Sequence, residues 1–139
     1  MSFLLDTNVV SEWTKPRPNA GVMTWLAEVD EDRVYLSVVT IVELRHGIER
    51  LAAGNRRAQL DDWLREQLPP RFEGRVLAID FEVADECGRL LARREAKGRP
   101  IHAMDALIAA TAQVHGLTVV SRNIADLKSS VKSILNPWT

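Results

Sequence analysis

The stretch Phe3-Leu4-Leu5-Asp6-Thr7-Asn8-Val9-Val10 constrains this chain more than any other. It begins as a short apolar strand, reaches an acid directly after two leucines, and then breaks at Thr7-Asn8. A carboxylate at the carboxyl end of a central strand stands where open α/β sheets present their sites. The structural alternative for Asp6 is a cap in a strand-to-helix turn. Two more acids, Glu43 and Asp105, also fall near the start of predicted helices after an apolar approach. Three acids brought to one sheet edge repel one another unless a cation holds them.

The rest of the pattern alternates strands with helices. Val9–Trp13 fits one short helical turn, and Pro16-Arg17-Pro18 a loop. Asn19 is placed to cap a helix over Ala20–Val29, where Val22, Leu26 and Val29 repeat at helical spacing with Trp25 beside them. Arg33–Val39 is nearly all apolar, as expected of a strand covered on both faces. Thr40 is predicted to open a second long helix with Ile41, Leu44, Ile48 and Leu51 on one stripe, ended by Gly54-Asn55. Arg56–Leu68 continues as an amphipathic segment that Pro69-Pro70 should stop. Together these two form an αα-hairpin, a larger excursion than a βαβ crossover needs.

Val76–Ile79 is the third predicted strand, and Asp80 can cap the helix that follows and closes at Lys97–Pro100. Ala103–Val114 has only Asp105, Thr111 and Gln113 as polar residues, so its helix should be enclosed on most sides. His115-Gly116 ends it, Leu117–Val120 is a fourth strand, and Val131–Leu135 a weak final one. The fold class is α/β, with a central parallel β-sheet flanked by helices. No repeat or linker divides residues 1–139, so a single domain is expected.

Composition narrows the function classes. A content of 46% apolar and 27% charged residues is ordinary for a soluble globular protein. No apolar run approaches the length of a membrane span and no signal-peptide pattern opens the chain, so the expected location is the cytoplasm. Cys87 is the only cysteine, which excludes an internal disulfide and a multi-cysteine metal knot; packing is its simpler role. The net charge of −1 does not describe a constitutively basic nucleic-acid coat. Most of the basic residues are arginines, compatible with a local phosphate-binding rim around an acidic centre.

Each acid has a structural reading beside the functional one. Thr40-x-x-Glu43 matches a capping box, so Glu43 could reach back to its helix start. Asp105 is harder to place that way, because an ionised carboxylate in a mainly apolar helix needs pairing or water. As a set, Asp6, Glu43 and Asp105 fit hard oxygen ligands for Mg²⁺ or Mn²⁺. Zinc fits poorly, since His46, His102 and His115 lack ligand spacing.

The segments Leu4-Leu5-Asp6-Thr7-Asn8-Val9, Val42-Glu43-Leu44, Asp105 through Ala112, and Val119-Val120-Ser121-Arg122-Asn123 occur in an order and at intervals that resemble a PIN domain. More narrowly the chain is similar to the toxin subunits of type II toxin–antitoxin pairs, the virulence-associated protein C group. The ending Asn136-Pro137-Trp138 and the proline-rich segment at 16–18 resemble its trafficking-regulator branch. The resemblance implies an endoribonuclease whose three invariant acids fall on Asp6, Glu43 and Asp105. It puts the family's hydroxyl, a substrate contact, on Thr7 and a supporting amide on Asn8. A fourth acid of many members falls on Asn123, a neutral side chain, and Asp126 is its competitor in sequence. The implied partners are RNA, a second copy of the chain, and a small antitoxin that inhibits the toxin and also binds promoter DNA.

Mg²⁺ held by these acids, with Mn²⁺ as substitute, would polarise a scissile phosphate and activate water for in-line attack. No Lys or His is evident as a general base. Arg45 and Arg122 are the candidates for phosphate contacts. Alternatives stay open at this point. One is a metal phosphohydrolase acting on another substrate, and another is a non-catalytic PIN-like protein that only binds a partner. A nucleotide-binding domain is disfavoured, because no glycine-rich phosphate motif occurs.

Overall fold

The computed structural model describes residues 1–139. Strand β1 (Phe3–Leu5) lies at the centre of a five-stranded sheet. It pairs in parallel with β2 (Val34–Ser37) on one side and β4 (Thr118–Val120) on the other. Strand β3 (Val76–Leu77) extends the sheet beyond β2, and β5 (Ile134–Leu135) beyond β4, giving the order β3-β2-β1-β4-β5. All four pairings are parallel, so every connection must cross over, and helices fill the crossovers.

The pleat explains why β1 can be apolar throughout. Leu4 pairs with Val119, and both enter a core shared with Val83, Leu90 and Ala109. Leu5 pairs with Val120, and both enter the opposite core with Val10, Val22 and Phe72. Consecutive residues thus serve opposite faces. The first core is closed by α6 (Phe81–Ala96) and α7 (Ala103–His115). The second is closed by α1 (Thr7–Ser11), α2 (Ala20–Glu28) and α3 (Val38–Glu49). No helix is long and apolar enough to cross a membrane.

Several local expectations hold. Asn19 caps α2 by accepting from the Val22 amide, and Asp80 caps α6 by accepting from the Val83 amide. Gly116 ends α7 in the left-handed region at φ 65°, the conformation glycine adopts without a Cβ clash. The αα-hairpin is present as α3 and α4 (Asn55–Asp62). Arg45 pairs with Asp61 and Arg57 with Glu49, so the two helices run antiparallel.

Others are corrected. The second strand ends at Ser37, not Val39, and α3 starts at Val38, not Thr40. Ser37 is the cap, accepting from the Val39 amide at 3.0 Å. Gly54 starts α4 rather than ending α3, whose last residue is Glu49. Pro69-Pro70 does not stop the helical run. A π-helical segment at Trp63–Gln67 intervenes, and both prolines sit in the first turn of α5 (Leu68–Arg71). There a missing N–H leaves no hydrogen bond unmade. Asp126 lies inside α8 (Ile124–Leu127), for which Asn123 holds the cap position.

Candidate active site

The carboxyl ends of β1 and β4 are neighbours by register, so the residue after each is delivered to the same place. These residues are Asp6 and Ser121. Ser121 Oγ donates to Asp6 Oδ2 at 2.7 Å, while the Thr7 amide donates to Asp6 Oδ1 at 2.8 Å. Asn8 Nδ2 lies 3.4 Å from Asp6 Oδ2 and 3.3 Å from Ser121 Oγ. Asp6 is only 6% exposed, and these donors offset its burial. The capping reading of Asp6 therefore holds: it caps α1 at the carboxyl end of β1.

Glu43 is tied to the same edge through Thr7, whose Oγ1 donates to Glu43 Oε1 at 2.6 Å. Thr40 Oγ1 stands 3.2 Å from Thr7 Oγ1. The capping-box reading of Glu43 is thereby replaced. With α3 beginning at Val38, Glu43 sits in the second turn and reaches across to β1's end instead of back to its own helix start.

Asp105 comes from the first turn of α7 and accepts no protein hydrogen bond. Burial pushes its carboxyl above the ordinary range, and the charges of Asp6 and Glu43 push it further. Asp126 adds to this push, and His102 partly offsets it. The four acids thus share one field. No group of three or more His, Cys, Asp or Glu side chains is close enough to enclose a single ion. The oxygens of Asp6 and Glu43 are instead engaged by the hydroxyl and amide donors just named.

The donor set nevertheless fits a hard divalent cation in chemistry. It is all oxygen, it is anionic, and one member is held above its ordinary pKa by burial and then by its like-charged neighbours.

Asn123 has its amide bonded to Ser121 Oγ at 2.8 Å, and its side chain makes no cap hydrogen bond. Arg122 places its amide 3.4 Å from Asn8 Oδ1 and its guanidinium 5.7 Å from the Trp138 ring centroid. Arg45 is directed elsewhere. It donates to Asp61 at 2.7 Å and to Glu49 at 3.3 Å, and those carboxylates hold it above its ordinary pKa.

Two residues were missed in the sequence. Ser121 was detectable, because it follows the fourth strand just as Asp6 follows the first. Glu12, 2% exposed, gave no such signal. It accepts from the Asn19 amide at 2.8 Å and pairs with Lys15 at 2.5 Å. Burial would raise its carboxyl, but Lys15, that amide and the charge of Arg122 outweigh it and hold it low. Glu12 thereby seats the proline loop beside the Arg122 side of the site.

A parallel sheet gathering acids from β1, α3 and α7 at one edge defines a PIN-like α/β protein. The family described as PIN domain matches residues 3–127. Over 135 residues the chain is 38% identical to "Toxin FitB" of Neisseria gonorrhoeae, covering 97% of each. Over the same length it is 36% identical to "VapC ribonuclease Y4jK" of Sinorhizobium fredii, covering 97% of this chain and 96% of that one. It superposes on the crystal structure of FitAcB from Neisseria gonorrhoeae with TM-score 0.91, at 38% identity and 98% coverage of both chains. It superposes equally, at 36% identity, on FitAB bound to a DNA fragment, covering 99% of this chain and 96% of that one. The chain belongs to the PIN-domain family, within its VapC/FitB toxin group.

Proposed function

We propose that this chain is a Mg²⁺-dependent endoribonuclease and the toxin of a toxin–antitoxin pair, acting in the cytoplasm. The observation that carries the reading is the proximity of Asp6, Glu43 and Asp105: burial raises the Asp105 carboxyl, and the charges of the other two acids add to that rise. The similarity to a toxin and to a ribonuclease supports the substrate class.

In this reading Asp6, Glu43 and Asp105 hold the ion, with Asn123 at the edge of the same site, and Mn²⁺ substitutes. When bound there, the ion supplies positive charge to the scissile phosphate and acidifies water. The chain's own residues set the geometry. Ser121 and Asn8 fix Asp6, Thr7 fixes Glu43, and Arg122 offers a guanidinium to an entering phosphate. Arg45 first has to leave Asp61 to act likewise, so it ranks behind Arg122.

The partners are single-stranded RNA, a second copy of the chain, and a small inhibitory antitoxin that binds DNA. The DNA-bound FitAB relative supports the last of these. Phe81, 85% exposed at the start of α6, and Val42, 51% exposed on α3, leave apolar surface for such contacts.

The test is cleavage of single-stranded RNA in Mg²⁺ or Mn²⁺ by the unchanged chain and by Asp6→Asn. Loss of cleavage in the variant, with EDTA abolishing it in the unchanged chain, is the expected result. A second reading, a non-catalytic partner-binding protein, is favoured by the neutral Asn123. Calorimetry with Mn²⁺ separates the two, because absence of binding leaves only the second.

A further inference from the structure

Beside the acids lies a cavity of about 240 Å³ between the end of α1 and the α3–α4 pair. Its rim shares Thr7 and Glu43 with the candidate active site. Its walls are apolar, with Leu44, Ile48, Leu60 and the half-buried indole of Trp63. Ser11 and Thr14 bring hydroxyls to the α1 side. Pockets for whole small-molecule ligands span roughly 300–1,000 Å³, so this smaller cavity suits a single ring system. Gly47 lines it, and a Cβ built there meets no heavy atom within 4 Å.

We propose that this cavity is a nucleobase subsite, receiving the base of a nucleotide adjacent to the phosphate held at the acids. Single-stranded RNA can splay a base out of its stack, and aromatic side chains receive such bases. An apolar slot with an indole wall and a few hydroxyls matches a flat ring with a polar edge. Because Thr7 and Glu43 belong to both places, a base seated in the cavity keeps its sugar-phosphate at the acidic edge. Leu51, which also lines the cavity, is 37% exposed.

The inference rests on the ribonuclease reading for its ligand, and binding tests it apart from cleavage. The full chain carrying Asp105→Asn is titrated with a short oligoadenylate containing 2-aminopurine, whose fluorescence is quenched by stacking. An abasic ribose-phosphate oligomer of equal length is the control. The base-bearing strand should quench on binding and bind about tenfold more tightly than the control, the scale of one stacked base. Gly47→Ala and then Gly47→Leu should weaken it progressively while leaving the abasic strand unaffected. Equal affinity for both strands, or equal weakening of both by Gly47→Leu, overturns the proposal. So does unchanged RNA binding in Gly47→Leu with loss of a co-expressed protein partner, which would give the cavity to a protein segment. The base-bearing versus abasic comparison needs no Gly47 variant, so it decides even if Gly47→Leu fails to fold. Base-dependent binding without cleavage by the unchanged chain supports the subsite and sinks only the nuclease reading. Cleavage with base-independent binding sinks only the subsite.

Discussion

Asp105 and Asn123 are the residues at which charge decides most. Burial, then Asp6 and Glu43, raise the Asp105 carboxyl. A carboxyl with a raised folded pKa costs no stability at low pH, where it is protonated folded and unfolded alike. As pH climbs past the unfolded value, the unfolded chain ionises first and the fold loses stability, until the raised folded value is passed. Asp105→Asn removes that loss. The apo variant should therefore melt no lower than the unchanged chain at pH 7, with the two converging below the ordinary aspartate range. Metal-dependent cleavage should fall by at least about 100-fold, the upper end of the roughly 10–100-fold loss that outer-shell partners of metal sites cost. Melting curves across pH check the first part, and a marked drop in apo stability would make Asp105 structural instead. For Asn123, the side chain is free of a cap bond while Asp126 contributes to the field on Asp105. Asn123→Asp should tighten Mn²⁺ binding by about tenfold, or 1.4 kcal/mol. Asp126→Asn should leave it little changed. Calorimetry returning the reverse pattern would make Asp126 the fourth ligand.

Helix α3 shows where local sequence signals suffice and where they fail. Its stripe of Leu44 and Ile48 was legible from spacing, and both are buried. Its start was not, because Val38 and Val39 suit a strand as well as a helix and only the Ser37 hydroxyl decides the matter. That slip of two residues removed Glu43 from the capping box and left it in the second turn, where it accepts from Thr7 Oγ1. The placement of acids on β1, α3 and α7 was legible because each follows an apolar approach. The hydrogen bonds among them were not, since Ser121 meets Asp6 only through the β1–β4 register. The prolines at 69 and 70 misled for a comparable reason: a proline stops a helix it follows but is tolerated in the first turn of the next. Two glycines test the element scale in opposite directions. Gly116→Ala forces a Cβ into the left-handed region and should destabilise by about 1–2 kcal/mol. Gly47→Ala, in the middle of α3 with open space at its Cβ, should stabilise by about 0.5–1 kcal/mol. Urea unfolding of both variants is the measurement, and a loss at Gly47 would show the cavity wall to be strained.

Across the whole molecule, the arginines that look like an RNA-binding reserve are largely committed. Arg33, Arg45, Arg57, Arg65, Arg71, Arg89 and Arg93 each lie within 4.0 Å of a carboxylate. Arg75 and Arg94 donate to backbone carbonyls. With a net charge of −1, the chain has little free positive charge to exchange for counterions. Each phosphate neutralised on a single strand contributes about −0.7 to the slope of log affinity against log salt. Binding of a single-stranded oligoribonucleotide at fixed Mg²⁺ should therefore fall with NaCl at a slope of only about −1 to −2. Arg122 stands beside Asn8 and over Trp138, so Arg122→Ala should remove about 0.7 of that slope. Arg45→Ala should leave the slope unchanged, because Asp61 and Glu49 already neutralise it. Fluorescence anisotropy across a salt series on the three proteins reads all of this. A slope near −5 in the unchanged chain would mean that the surface ion pairs open to take up phosphate. Equal effects of the two substitutions would place Arg45 at the RNA beside Arg122.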